Sequence, residues 1–361
     1  MAFSEDQMQT SYICVGVMSG TSLDGLDICL CKFICETNHN WKYSIVKADT
    51  RPYPTQIKEQ LENAPNLNGE QLTHLDYQYG HWIGKTVSAF LQNAKERPQF
   101  IASHGHTIFH NPQHGYTLQI GKGSAIAAQT TIPCISDFRS SDVCKGGQGA
   151  PLVPIGDKLL FSEYDICLNL GGIANLSYDN NQNQRIAYDI SPCNMLLNCL
   201  AGMVGKEFDK DGEIGKLGDI DSDLLTKMNL LDYYSLENPK SLGREWFEGN
   251  ILKLINASKC STESKLRTSY EHIAAQITNV TNKVKGNTLL ITGGGAKNSF
   301  LIDLIINKST KKVIIPDALT IDFKEALVFA FLGVLYKEKL NGALASVTGA
   351  KTDSIGGCLY Y

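Results

Sequence analysis

Short apolar runs alternate along the chain with stretches in which apolar residues recur three and four apart. The runs at 13–17 and 26–33 bracket a polar, glycine-bearing segment, Met18-Ser19-Gly20-Thr21-Ser22-Leu23-Asp24-Gly25, and predict a hairpin. The same grammar returns at 166–170: an apolar run, Gly171-Gly172, an outgoing run at 173–178, then the turn signal Asp179-Asn180-Asn181. Two such units predict two related halves. Helical spacing covers 81–94, 269–285 and 324–337. A third strand, 289–292, runs into Gly293-Gly294-Gly295-Ala296-Lys297-Asn298 and a helix over 299–306, and 313–316 reads as one more short buried strand. Alternating strands and helices predict an α/β fold.

A length of 361 residues exceeds one ordinary core and predicts two domains. Nothing resembles a linker, so the expected division is 1–135 with 338–361 against 136–337. With 43% hydrophobic and 19% charged residues and a net charge of −4, the chain offers no bulk attraction to nucleic acid or an anionic membrane. It has neither the basic start and apolar run of a signal peptide nor an apolar stretch long enough to span a bilayer, so the expected compartment is the cytoplasm. The 11 cysteines are scattered, with no CxxC pair, and fit reduced buried thiols better than disulfides or structural zinc.

Gly20-Thr21-Ser22-Leu23-Asp24-Gly25 combines close backbone approach, small hydroxyls and a carboxylate. That suits nucleotide phosphates, with Asp24 holding magnesium through water, although a plain type I′ hairpin reads the same way. The spacing is neither GxxxxGK[ST] nor GxGxxG. Gly171-Gly172 and Gly293-Gly294-Gly295 follow strands similarly, so three junctions together suggest a cradled nucleotide. The block Asp137-Phe138-Arg139-Ser140-Ser141-Asp142, then Gly146-Gly147-Gln148-Gly149-Ala150-Pro151, is either a clamp for a polyhydroxylated ligand through Gln148 or a hinge. Asp189, near the end of a short strand, is either a general base or the cap of the next helix. Residues 209–213 resemble a calcium loop without its twelfth-position glutamate. Four of the eight histidines, His104, His106, His110 and His114, cluster without nearby carboxylate or cysteine, favouring sugar contacts or a packed loop over metal.

Together these segments resemble the anhydro-N-acetylmuramic acid kinase family, part of the superfamily of acetate and sugar kinases, heat-shock ATPases and actin. The resemblance runs from Gly16 nearly to the C-terminus. It is carried by 18–24, Ser103-His104-Gly105-His106-Thr107, Thr117-Leu118-Gln119-Ile120-Gly121, 137–154, 168–175, Lys240-Ser241-Leu242-Gly243-Arg244-Glu245, 293–298 and Ser346-Val347-Thr348-Gly349-Ala350. It implies two actin-like (ribonuclease H-like) domains around an interdomain cleft. The implied reaction uses ATP and Mg2+ to open 1,6-anhydro-N-acetylmuramic acid with water and phosphorylate O6, within peptidoglycan recycling. By position, Asp189 would activate the water. Glu325, Gln148, Asp142, His104 and Asn194 would contact the sugar. Gly20, Thr21, Ser22, Leu23, Asp24, Gly25, Leu26 and Asp27, with Gly171, Gly172, Gly293, Gly294, Gly295 and Asn298, would hold ATP. The implied partners are sugar and ATP alone, and a homodimer is left open.

The sequence departs from the family pattern at Ile190, Ser191 and Cys193, at Asn198 (usually Asp), at His106 (commonly Gln) and over 141–145. A sugar kinase that uses no water and a non-catalytic sensor are the competing readings. The 137–154 block argues against the first. The retained Asp24, Asp189 and Glu325 argue against the second.

Overall fold

A computed structural model describes residues 10–36 and 40–361. The chain divides into two compact units, Met1–Leu160 with Phe323–Tyr361, and Phe161–Asp322. In the first, β1 (Thr10–Ser19), β2 (Leu26–Cys35) and β3 (Trp41–Arg51) form an antiparallel meander. β4 (Phe100–Asn111) runs parallel to β1 and pairs with the short β5 (Tyr116–Ile120), and β6 (Cys134–Ser136) runs parallel to β4. A C-terminal strand, Cys358–Tyr360, closes the edge at β6.

The second unit repeats this path. β7 (Ile166–Leu170), β8 (Ile173–Asp179) and β9 (Arg185–Pro192) form the meander, β10 (Thr288–Thr292) runs parallel to β7, and β11 (Lys312–Ile314) runs parallel to β10. The orders β3-β2-β1-β4-β6 and β9-β8-β7-β10-β11 are the same topology twice. This is the expected α/β fold with two actin-like, ribonuclease H-like halves.

Each sheet is covered by helices whose apolar spacing is visible in the sequence. Helix Gly69–Leu91 starts at a capping box made by Asn68 and Gln71 and buries Tyr79, Ile83, Val87 and Phe90 against the first sheet. Helix Thr262–Thr281 buries Tyr270, Ile273, Ala274 and Ile277 against the second.

The compact units divide at 160/161 and 322/323, while the expected division lay at 135/136 and 337/338. Residues 136–160 belong to the first unit because they are tied to its other parts. Asp142 hydrogen-bonds Thr348, and Gly156 lies against Val328. The second division falls inside the continuous helix Ala318–Lys337, where no turn residue marks it.

Candidate active site

In the first unit the hairpin β1–β2 closes with Ser19 opposite Leu26, so residues 20–25 form a six-residue loop and not a two-residue type I′ turn. Leu23 adopts φ +56 and packs its side chain onto the core, with its N–H donating to the Gly20 carbonyl at 3.2 Å. That anchor leaves Thr21, Ser22 and Asp24 exposed. Two members of the expected ATP segment face inward: Leu26 is a core residue, and the half-buried Asp27 accepts the Thr50 hydroxyl at 2.6 Å. At the loop's base the buried Ser19 hydroxyl meets Tyr53 at 2.7 Å, His106 Nδ1 at 2.8 Å and Tyr79 at 2.9 Å. Burial holds the His106 imidazole down at about 4, so it is neutral.

Asp142, expected at the sugar, is fully buried. Its Oδ2 accepts the Gly149 N–H at 2.7 Å and its Oδ1 the Thr348 hydroxyl at 2.7 Å. The carboxylate therefore organises the glycine-rich loop and does not present itself to a ligand. The Gln148 N–H donates to the Thr348 carbonyl at 2.8 Å, which leaves the Gln148 side chain exposed at the loop's crest. His104 is likewise inside, 5% exposed, with its ring against Phe329 and its Nε2 accepting from Arg139 Nε at 3.0 Å. Burial first, and Arg139 second, push its pKa well below the usual histidine value, so His104 acts as a neutral support for Arg139.

Arg139 also donates to the Gly149 carbonyl at 2.7 Å. Burial lowers its pKa to about 10, and the charge of Glu325 opposes that. Glu325 keeps open surface but is crowded by protein; that desolvation raises its carboxyl, with Arg139 opposing the rise and Asp27 adding to it. The helix that carries Glu325 lies close against β1 because Gly16 has no side chain: a Cβ there would lie 1.8 Å from the Ala326 carbonyl oxygen. Glu325, Arg139 and Asp27 thus form one charged group. Sequence reading supplied Glu325 and Asp27 but missed the role of Arg139, whose neighbours are far apart along the chain.

In the second unit the glycine junctions do converge. Gly293 takes φ +81, and a Cβ on it would strike Asn169 Oδ1 at 2.4 Å and the Leu170 backbone at 2.9 Å, so the loop after β10 lies directly on the end of β7. Asn194 joins the pieces. Its N–H donates to the Gly171 carbonyl at 3.1 Å, its side-chain amide to the Leu170 carbonyl at 3.0 Å, and its Oδ1 lies 3.2 Å from a Cβ placed on Gly295. Asn298 is spent otherwise: its Oδ1 caps helix Ser299–Lys308 through Leu301 N–H, and its amide donates to Tyr270 and to the Asp209 carbonyl. Asp209 in turn accepts from Ile214, Gly215 and Tyr270, which makes 209–213 a structural loop.

Asp189 lies on β9, which is irregular there: Ala174 pairs with Ser191 and Asn175 with Asp189, so Ile190 is bulged out of the ladder. Bulges re-aim neighbouring side chains. The capping alternative fails, because the next helix, Asn194–Gly202, has Cys193 at its N-cap and no side-chain cap. The half-buried Asp189 instead accepts the Leu242 N–H at Oδ2, 2.8 Å, and burial raises its carboxyl while that hydrogen bond opposes the rise. Of the departures from the family pattern, Ile190 and Cys193 are core packing.

Among the described residues no three histidine, cysteine or acidic side chains are grouped to hold a metal, and no helix is long and apolar enough to cross a membrane. All 11 cysteines are free.

The duplicated sheet and the glycine-lined loops at its strand ends place the chain in the actin-like class of α/β proteins. Sequence comparison narrows this: the family model for anhydro-N-acetylmuramic acid kinase matches residues 12–361. The anhydro-N-acetylmuramic acid kinase of Pasteurella multocida (strain Pm70) is 35% identical over 366 residues, covering 96% of each chain. That of Francisella tularensis subsp. novicida (strain U112) is 34% identical, covering 95% of this chain and 97% of its own. That of Coxiella burnetii (strain RSA 493 / Nine Mile phase I) is 34% identical, covering 96% and 97%. The chain belongs to the anhydro-N-acetylmuramic acid kinase family.

Proposed function

We propose that this chain is an ATP-dependent kinase that opens 1,6-anhydro-N-acetylmuramic acid with water and phosphorylates O6, yielding N-acetylmuramic acid 6-phosphate and ADP in cytoplasmic cell-wall recycling. The observation that carries the reading is Asp189: a half-buried carboxylate beside a bulge, with one oxygen fixed by an amide and its pKa raised by burial. That combination suits a general base, which must be both oriented and proton-hungry. Water would lose its proton to Asp189 as it attacks the anomeric carbon. The bond from that carbon to O6 breaks, and O6 takes the γ-phosphoryl group.

In the first unit, Gln148 and Glu325 are assigned to the sugar, while Asp142 and His104 support the loop and Arg139 behind them. The 20–25 loop and the Gly171, Gly172 and Gly293–Gly295 backbone are assigned to ATP, with Asn194 and Asn298 setting the position of these turns. Magnesium would supply charge neutralisation of the phosphates; the single exposed carboxylate of Asp24 fits a water-mediated contact to a metal carried by the nucleotide.

Asp189→Asn retains size and can still accept from Leu242, so folding should be normal while turnover falls roughly 10²-fold or more. Reaction in oxygen-18 water should label the anomeric oxygen and not O6. Full turnover in Asp189→Asn would remove the residue from the base role.

A further inference from the structure

The segment 233–242 touches Asp189 three times. The Tyr233 hydroxyl donates to the Asp189 carbonyl at 2.7 Å, the Asp189 N–H donates to the Lys240 carbonyl at 3.1 Å, and the Leu242 N–H donates to Oδ2 at 2.8 Å. Two contacts fix the backbone and the third fixes the carboxylate. β9 is the edge strand of its sheet and is bulged at this point, so the ladder alone does not set how Asp189 is aimed. The segment supplies what the ladder lacks.

The segment is anchored in the core. The Tyr234 hydroxyl meets His272 Nε2 at 2.8 Å, and His272 Nδ1 meets Asn229 Oδ1 at 2.6 Å, which also accepts from Gln276 at 2.9 Å. An accepting Oδ1 puts the imidazole proton on Nδ1, so Nε2 accepts from Tyr234. Tyr233 and Tyr234 both pack on Trp246, with ring centroids 5.2 and 6.1 Å away. One tyrosine reaches the acid and its neighbour reaches the core.

We infer that residues 233–242 form a clamp that positions Asp189, with Tyr233 as the positioning residue and the Tyr234–His272 hydrogen bond as the anchor. The inference rests on reading Asp189 as the base. The titratable groups around the acid are few. Tyr233 and Tyr188 are both held in the neutral phenol form by burial. The Lys240 Nζ is committed to the Tyr233 and Leu236 carbonyls, over the Tyr233 ring. Across the ladder β8 offers Asn175, which carries no charge. The Leu242 amide is therefore the main group favouring the carboxylate form against burial.

Tyr233→Phe removes one hydroxyl and keeps the ring. It should lower kcat about 10-fold with KM for ATP unchanged. It should also move the acid limb of the kcat/KM profile upward by about half a pH unit or more, as a loosened clamp weakens the Leu242 contact. A lower melting temperature with wild-type kcat and acid limb would make Tyr233 merely structural and overturn the clamp. If Tyr233→Phe does not fold, Tyr234→Phe takes its place, with the same two readings. Asp189→Asn separates the two levels: full turnover there ends the base reading and the clamp with it. An inactive Asp189→Asn beside an unchanged Tyr233→Phe overturns the clamp alone.

Discussion

At the scale of single residues, three aspartates of the first unit show how setting decides role. Asp142 is buried with both oxygens hydrogen-bonded, Asp27 is half-buried against Thr50, and Asp24 stands exposed on the 20–25 loop. Opposite behaviour is expected at the two ends of this series. Asp24→Ala should fold and melt like the parent yet lose most turnover, with a steeper requirement for magnesium in a metal titration. Wild-type magnesium dependence would take Asp24 out of the site. Asp142→Ala leaves the Gly149 N–H unpaired and the Thr348 hydroxyl with only its longer contact to the Leu344 carbonyl, so thermal unfolding should show a loss of about 1–3 kcal/mol. The sequence could name these residues but not rank them. A glycine-rich block with an acid reads alike whether the acid meets a ligand or its own loop, and the partner that settles it, Thr348, lies far along the chain. Asp189 was legible as one of two roles, and only the Cys193 cap position removed the other.

At the scale of elements, the two hairpins and the strands after them at 289–292 and 313–316 were readable because apolar runs and glycine turns are local signals, whereas β3, β4 and β6, which complete the repeated path, were not read. The division between units was not. Helix Ala318–Lys337 buries Phe323, Ala326, Leu327, Val328, Phe329, Ala330 and Phe331 almost without interruption, so it shows neither an amphipathic stripe nor a break. That helix also carries Glu325, and its approach to the first sheet depends on Gly16. A Cβ at position 16 would meet backbone, the Ala326 carbonyl oxygen at 1.8 Å, whereas one at Gly156 would meet the Val328 side chain at 2.4 Å. Backbone yields less readily than a side chain. Gly16→Ala should therefore destabilise the protein by about 1–3 kcal/mol or more and shift the helix bearing Glu325, lowering activity although Gly16 itself meets no ligand. Gly156→Ala should cost less. Denaturant midpoints and turnover of the pair test this, and equal, small effects would mean that the helix moves freely.

At the scale of the molecule, the duplication has a consequence for acid stability, since each unit buries histidine in its neutral form. His106 in the first unit is held at about 4 and His272 in the second at about 3, both by burial, and His104 is held well below the ordinary value. These groups gain their protons on unfolding, so the unfolded chain binds more protons than the native one below the ordinary histidine pKa of about 6.5. The stability they represent is complete above that pH and is lost as pH falls from about 6.5 toward 4. The slope is about 1.4 kcal/mol per pH unit for each histidine. Asp189 and Glu325, whose carboxyls are raised by burial, work the other way, because a raised carboxyl favours the native state toward acid and that contribution is lost as pH rises. His110 is lowered and Asp76 raised by burial as well, while hydrogen bonds hold the Asp165 and Asp317 carboxyls low, so the balance is a net loss toward acid. Urea midpoints measured from pH 8 to pH 5 should be flat at the alkaline end and fall steadily below about pH 6.5. His272→Gln keeps a hydrogen-bonding side chain without the titration and should flatten that fall by about one histidine's share. A parent protein equally stable at pH 7 and pH 5 would show that these imidazoles are charged or hydrated in the native state, contrary to their burial.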